Sequence, residues 1–411
     1  MTAISLLRDK RILLGVTGSI AAYKSADLAS KLAQAGALVD VILTESALRF
    51  VSGLTFRSLT GRPAYSDLWD LDDHVRHVRL AEAADLLLIA PATAQTIANL
   101  AHGIADNLLA VAALAVRCPL LVAPAMDGGM YAHPAVQANL KLLAERGALL
   151  PGPAEGHLAS GLSGAGRMLE PAALLGHVRL ALGRGGPLRS RQVVVTAGPT
   201  HEAIDPVRYL GNRSSAKQGF ALAQAALDAG AQVTLISGPA MLEAPVGATL
   251  VPVVSAAEMC AQVLELIPAA DALLMAAAVA DFRPAAAANR KIKKGPENAD
   301  GLNLRLERTA DVLEAVKEAR QRGLGPRLVV GFAAETGDAL ASGRQKLAAK
   351  GVDLLVVNDV SAPDAGFDVD TNRVTLLTPG GLQEEPPLMS KAEVAERIIG
   401  WLAQTFAEDT V

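Results

Sequence analysis

Two stretches of this chain open in the same way, and any fold must accommodate both. The first, RILLGVTGSIAAYKSADLASKLAQAGALVDVILT from Arg11 to Thr44, runs from an apolar segment through a glycine-containing turn into an amphipathic helix, an Ala-Gly helix end and a second apolar segment. The second begins as RQVVVTAGPT at Arg191 and, after an inserted loop, continues as FALAQAALDAGAQVTLISG. Each is a βαβ unit of the kind that opens a parallel sheet covered by helices. Together they predict an α/β chain of two doubly wound, Rossmann-like parallel-sheet domains in tandem. The segment GRGGPLRS, Gly183 to Ser190, has the composition of a linker. The boundary is therefore expected near residue 188, giving domains over 1–187 and 188–411. A tandem repeat competes, but the halves share no motif beyond this opening.

Further strands are expected at Asp85–Ala90, at Pro119–Ala123 and at ALLPG near residue 149 in the first half. In the second they are expected at Ala231–Ser237, Ala272–Ala277, Arg327–Gly331 and Asp353–Asn358. The 411 residues are enough for two cores, and 51% apolar against 19% charged residues argues against disorder. A formal charge of −4 offers no basic footprint for nucleic acid, so a local pocket must bind any anionic ligand. The two cysteines, Cys118 and Cys260, cannot build a disulfide framework and suit a reduced compartment. The opening MTAISLLRDKRILLGV has no signal-peptide pattern, and stretches such as LLLIA are too short to span a bilayer. A soluble, cytoplasmic protein with no membrane partner is expected.

Ligands of doubly wound sheets bind beyond the carboxyl ends of the strands. In the first half those ends are rich in small donors: Gly18-Ser19-Ile20, Thr44-Glu45-Ser46, and Thr93-Ala94-Gln95-Thr96 after Pro91. None is a GxGxxG dinucleotide fingerprint. Each alone reads as a helix cap, but three at the strand ends of one domain favour a shared phosphate-bearing ligand. PAMDGGM from Pro124 follows a buried segment, and the Gly-rich GHLASGLSGAGRM from Gly156 could act as a lid.

TGSIAAYK, HVRLAEAADLLLIAPATA, PAMDGGMY and ASGLSGAGRM resemble the homo-oligomeric flavin-containing cysteine decarboxylases, specifically those acting on phosphopantothenoylcysteine, over residues 11 to about 175. The resemblance implies FMN held by Gly18, Ser19, Ile20, Thr44, Ser46, Thr93, Ala94, Gln95, Thr96 and Ala125. It implies that FMN oxidises the substrate cysteine to a thioaldehyde, an electron sink for loss of CO₂. An enethiol remains, to which the reduced flavin returns hydride. The family's histidine base falls on His77, with His74 its rival, and Asp127, Met130 and Arg167 fall on substrate contacts. Two positions depart from the family pattern. Asp127 stands where Asn is usual, and Ser160 replaces the cysteine that protonates the enethiol. Serine is a far weaker acid than a thiol, and a protonated Asp127 could donate only if burial raised its pKa. Three outcomes stay open: reassigned proton transfers, oxidative decarboxylation ending at the enethiol, or a dead decarboxylase.

In the second half, TAGPT after the first strand is another small-residue turn. Between it and the next helix lies IDPVRYLGNRSSAK from Ile204, either a solvated connector or an anion site. Asp281 follows a strand and leads to KIKK at Lys291, a surface charge run or a loop that closes over a triphosphate and its Mg²⁺. No P-loop motif is present. VTAGPTHEAIDPVRYLGNRSSAKQGFALA, AAAVADFRP, KIKK, VVGFAAET and NDVS resemble the phosphopantothenate–cysteine ligases from residue 190 to about 405. The resemblance implies CTP at Met275, Ala276, Ala277, Asp281, Lys291, Ala310, Asp311, Val312, Leu313, Phe332, Lys346 and Lys350, with Asp281 also on the metal. Asn212 would position an acyl-cytidylate formed from 4′-phosphopantothenate, and Arg208 would support the anion until L-cysteine attacks. Ala216 replaces the usual Gly, which costs on the order of 1 kcal/mol if φ is positive there.

The resemblance further implies decarboxylase trimers joined through ligase dimers into a dodecamer, with the flavin near a subunit interface. One rival keeps the ligase but makes the first half an FMN-binding or assembly domain. Another is a regulatory flavoprotein without nucleotide turnover, and an NAD oxidoreductase is disfavoured by both glycine turns.

Overall fold

The computed structural model describes residues 5–69, 75–293, 301–335, 339–359, 369–381 and 383–408. His74, the run from Lys294 to Asp300, Thr336, Val360 and Ser361 lie outside the described residues. The chain divides into two compact units, Ser5–Gly183 and the part from Arg184 onward.

In the first unit, β1 (Arg11–Val16), β2 (Leu38–Leu43), β3 (Ala64–Tyr65), β4 (Leu86–Ala92) and β5 (Leu120–Pro124) form one parallel sheet in the order β3-β2-β1-β4-β5. Helices α1 (Ala22–Gln34), α2 (Gly53–Thr60), α3 (Arg76–Ala83), α4 (Ala94–His102), α5 (Leu108–Ala115), α6 (Gly128–Ala132), α7 (Pro134–Glu145) and α8 (Pro171–Gly183) accompany it. Ile12, Leu14 and Val16 enter one core cluster with Leu28 and Leu32, whereas Leu13 enters a second with Leu87, Ile89 and Val122. Both faces of the strands are thus covered, which is why they read as unbroken apolar runs. The expected strand near residue 149 is reduced to a single bridge, Leu121 to Leu149. The Gly-rich stretch folds instead as a hairpin of β6 (Ala154–His157) and β7 (Ser163–Arg167).

The second unit's main sheet contains β8 (Gln192–Ala197), β11 (Gln232–Ser237), β12 (Thr249–Pro252), β13 (Ala272–Met275), β16 (Leu328–Glu335), β17 (Leu354–Asp359), β19 (Val374–Leu377) and β20 (Gln383–Glu384). Their order is β12-β11-β8-β13-β16-β17-β19-β20, with only the β17–β19 and β19–β20 pairings antiparallel. Two-stranded pairs are β9 (His201–Ala203) with β10 (Tyr209–Gly211), β14 (Phe282–Pro284) with β15 (Leu306–Arg308), and β18 (Thr371–Asn372) with β21 (Met389–Ser390). The helices are α9 (Lys217–Asp228), α10 (Ala256–Leu266), α11 (Val312–Gln321), α12 (Ala339–Lys350) and α13 (Lys391–Glu408). The stretch expected to be a free linker is partly structural: Leu188 is fully buried and its N–H bonds to the Ala229 carbonyl. Gly219 lets α9 lie directly on β8, since a Cβ there would fall 2.5 Å from the Ala197 Cβ. Ala216, just before α9, has φ 62°, the left-handed conformation that disfavours any side chain. Among the described residues no helix is long and apolar enough to cross a membrane.

Candidate functional site

In both sheets the strand order reverses beside the first strand of the unit, between β1 and β4 and between β8 and β13. Such switch points leave a crevice at the strand carboxyl ends. Each crevice is tied together by a buried threonine. Thr17 donates to the Pro91 carbonyl (2.6 Å) and accepts the Thr93 N–H (3.2 Å), and Thr196 accepts the Ala277 N–H (3.2 Å).

In the first unit the crevice is a cavity of about 1020 Å³. Gly18, Ser19, Ile20, Thr44, Ser46, Thr93, Ala94, Gln95, Thr96 and Ala125 all line it, as do Asp127, Met130, Ser160 and Arg167. Three of its hydroxyls also cap local turns: Ser19 accepts the Ala21 N–H, Thr44 that of Ala47 and Thr93 that of Thr96, each at 3.3 Å. A hydroxyl that accepts a backbone N–H keeps its own hydrogen to donate, so capping and ligand binding are compatible here. These donors, set beside Met126, Met130 and Leu158, fit a cofactor with an anionic phosphate and an apolar ring. Lys24 and Asn99 also line the cavity although sequence reasoning gave them no role. Lys24 is 8% exposed and pairs with Glu170 at 2.6 Å, and Arg167 reaches the same carboxylate at 3.3 Å. Its place in the quoted TGSIAAYK run was the available signal.

The hairpin β6–β7 arches over this cavity because Gly166 approaches the chain after β5. A Cβ on Gly166 would lie 2.3 Å from the Met126 carbonyl, and the Met126 N–H bonds to the Gly166 carbonyl at 2.9 Å. At the hairpin tip the Ser160 hydroxyl donates to Asp127 Oδ2 at 2.5 Å, while Asp127 Oδ1 accepts the Gly129 N–H at 2.9 Å. The Ser160 hydrogen bond, then the Gly129 amide, hold the Asp127 carboxyl below the usual carboxylate range. The condition under which Asp127 could donate, a pKa raised by burial, is not met: the group is half-exposed and accepts both hydrogen bonds. His77 lies on α3 and does not line the cavity, so the described chain does not bring this base to the flavin-type pocket.

In the second unit, the segment that could have been a solvated connector begins as the turn and second strand of the β9–β10 hairpin. Asp205 in that turn has a fully buried side chain. It accepts the Val207 and Arg208 amides (2.8 and 2.9 Å), Arg208 Nε and Nη2 (3.0 and 2.5 Å) and the Ile292 amide (3.1 Å). Arg208 Nη2 also donates to the Ile292 carbonyl at 3.0 Å. Arg208 is thereby joined to the residue next to Lys291. Asp205 was missed by sequence reasoning, although Asp-Pro-x-Arg is a turn that lets an aspartate meet an arginine three residues on.

Asn212 donates to the Val279 carbonyl at 2.9 Å, beside Met275, Ala276 and Ala277 at the end of β13. The Asp281 carbonyl accepts the Thr309 N–H at 3.0 Å, which sets Ala310 and the start of α11 next to it. Met275 and Val312 share a core cluster, with Ala277 and Leu313 packed on it, and Phe332 follows the β16 residue paired with Met275. Lys350 hydrogen-bonds Asp311, and Lys346 pairs with Glu335 at 2.5 Å. Of the residues assigned to the nucleotide, Met275, Ala277, Val312 and Leu313 thus pack together and Lys350 reaches Asp311 beside them, whereas Lys291 is tied in only through its neighbour Ile292 and Arg208. Among the described residues no group of three or more His, Cys, Asp or Glu could hold a metal. Asp281 is an exposed single carboxylate.

Residues 3–181 match the family described as flavoprotein, and residues 188–406 that described as DNA/pantothenate metabolism flavoprotein C-terminal domain. The coenzyme A biosynthesis bifunctional protein CoaBC of Bacillus subtilis (strain 168) is 46% identical over 403 residues, covering 97% of this chain and 98% of its own. That of Mycobacterium tuberculosis (strain ATCC 25618 / H37Rv) is 47% identical over 401 residues, 95% of each chain. That of Vibrio vulnificus (strain YJ016) is 42% identical over 395 residues, 96% of this chain and 97% of its own. With two switch-point sites in two units and relatives matching from end to end, the chain belongs to the family of bifunctional coenzyme A biosynthesis proteins, CoaBC.

Proposed function

We propose that this enzyme joins 4′-phosphopantothenate to L-cysteine in its second unit, using CTP with Mg²⁺, and decarboxylates the resulting phosphopantothenoylcysteine in its first unit to give 4′-phosphopantetheine. The observation that carries the decarboxylase half is the cavity at the β1–β4 switch point, lined by every residue assigned to FMN.

FMN, when bound, supplies the two-electron chemistry on the substrate cysteine. The chain's own work is to hold and enclose. Ser19, Thr44, Thr93 and Thr96 offer hydroxyls to the phosphate, and Lys24 and Arg167 set positive charge at the cavity wall. The Ser160–Asp127 bond shuts the hairpin over the substrate and excludes water. His77, the assigned base, is proposed to reach the cavity of a second copy. In support, Ile20, Tyr23 and Met130 line the cavity yet are 62%, 63% and 51% exposed, apolar surface that a neighbouring subunit would cover. Trimers of the first unit, linked by dimers of the second into a dodecamer, are the proposed assembly, working in the cytoplasm.

In the second unit the phosphopantothenate carboxylate attacks the CTP α-phosphorus and pyrophosphate leaves. The cysteine amine then attacks the acyl carbon and CMP leaves. Lys291, Lys346 and Lys350 offset phosphate charge, Asn212 orients the acyl-cytidylate, and Asp281 would offer a single carboxylate to a Mg²⁺ that arrives with the nucleotide and would offset its charge.

The Ser160–Asp127 bond favours a second reading for the first unit. Ser160 gives its only hydrogen to a carboxylate held below the usual carboxylate range, so neither residue offers an acidic proton, and the reaction would end at the enethiol with the two electrons left on the cofactor, one turnover per cofactor. Product mass from phosphopantothenoylcysteine decides. Saturated 4′-phosphopantetheine supports full decarboxylation, a product two hydrogens lighter supports the second reading, and no product with either overturns decarboxylation.

A further inference from the structure

A fully buried carboxylate bonded to its own turn, to the Arg208 side chain and to the distant Ile292 amide is an unusual use of charge. Burying an ion costs several kcal/mol unless its lone pairs are satisfied, and Asp205 has five hydrogen bonds to do so. The Val207 and Arg208 amides close the turn on which Asp205 sits, a local role that Asn or Ser could fill. The other three bonds do more than close the turn. Two fix the Arg208 guanidinium edge-on, and the third reaches 87 residues along the chain to the Ile292 amide. The Arg208 Nη2 then returns to the Ile292 carbonyl. Ile292 is thus gripped at both its N–H and its C=O, which fixes the backbone direction on which the exposed Lys291 is carried. The Ala288 amide bonds to the Ile204 carbonyl at 2.9 Å, a second tie between the same two segments.

Of the five N–H groups of a guanidinium, the Nε–H and the two on Nη2 are used by Asp205 and Ile292. Those on Nη1 bond to none of the described residues and can meet an incoming anion. We propose that Asp205 is a positioning residue of the ligase site: it orients Arg208 and pins the Lys291 loop, so that one buried anion sets the geometry of two cations that face the nucleotide and the activated carboxylate. This rests on the ligase reading of the second unit. It separates two functions that Arg208 alone would confuse, holding the loop and meeting the substrate. The Asp205 side chain itself touches no ligand.

The test is Asp205→Asn in the full-length protein. It keeps the shape and one acceptor for the backbone amides but removes the charge that holds Arg208. Two measurements are made beside a melting curve: the rate of tryptic cleavage after Lys291, and CTP-dependent pyrophosphate release with phosphopantothenate. Misplacing catalytic groups by about 1 Å typically lowers turnover about 100-fold. The expected result is therefore a kcat lowered 10- to 100-fold, a smaller change in KM, faster cleavage after Lys291, and a folded protein. Wild-type kcat and wild-type cleavage in Asp205→Asn overturn the proposal, as does lost activity with unchanged cleavage. Should Asp205→Asn fail to fold, Arg208→Lys replaces it. Lysine keeps the charge but cannot reach both Asp205 and the Ile292 carbonyl, and again cleavage after Lys291 must rise or the pin is refuted. If the wild type releases no pyrophosphate, the ligase reading fails, while the cleavage comparison still decides whether Asp205 holds the loop.

Discussion

The two units solve one topological problem with opposite chemistry. In each the strand order reverses beside the first strand, and each ties that crevice with a buried threonine, Thr17 in the first and Thr196 in the second. The first then lines a cavity with hydroxyls and apolar side chains, and its one cavity-lining lysine of low exposure, Lys24, is balanced by Glu170. The second instead couples three of its cations to acids: Arg208 to Asp205, Lys346 to Glu335 and Lys350 to Asp311. Neutral donors suit a cofactor that stays bound. Cations suit the polyanion proposed for the second unit, and the paired carboxylates fix their side chains.

The comparison breaks most sharply at Lys291. Lys291→Ala should lower CTP-dependent pyrophosphate release about 100- to 1,000-fold, the range for removing one preorganised charge donor, while flavin absorbance and decarboxylation stay unchanged. Loss of both activities together would contradict independent sites. His77→Asn should do the reverse. Decarboxylation should fall about 100-fold or more, as for loss of a general base, with pyrophosphate release intact. Mixing His77→Asn with a variant damaged in the cavity should restore part of the rate if the histidine serves a second copy.

Smaller effects test the framework under the second site. Gly219→Val drives a side chain into Ala197 and should destabilise the second unit by about 1–3 kcal/mol, lowering its calorimetric transition. Ala216→Gly relieves a left-handed alanine and should raise the same transition by about 1 kcal/mol. Least visible at neutral pH is the acid response of Asp205. Bonds from Arg208 hold its carboxyl well below its ordinary value of 3.8. Its contribution is therefore complete above pH 3.8 and is lost as the pH falls toward the lowered folded value. Asp205→Asn should flatten that acid limb of the melting temperature, and an unchanged limb would refute the linkage.

Much of the fold was legible because its signals are local. The apolar runs at Ile12–Val16, Leu86–Ile89 and Val193–Val195 are strands buried on both faces, and such strands leave an uninterrupted apolar pattern. The edge strands were not legible. Thr249–Pro252 is mostly exposed and carries no alternation, and the stretch near residue 149 is apolar yet forms a single bridge because it only flanks β5. Ala216 is an intermediate case: its cost was foreseeable, but only the backbone shows φ to be positive.

By itself, the sequence determined the sheet class and the small-donor turns at the strand ends of the first unit, since each of these follows from which side chains come in and just after a buried strand. The tertiary structure alone decided what those groups do to one another. It made Asp127 the acceptor of the Ser160 hydroxyl, kept His77 off the cavity wall, and tied Arg208 to the Lys291 loop through Asp205. Charge state and pairing depend on distances between residues 33 and 87 positions apart, and no local pattern in a sequence encodes those.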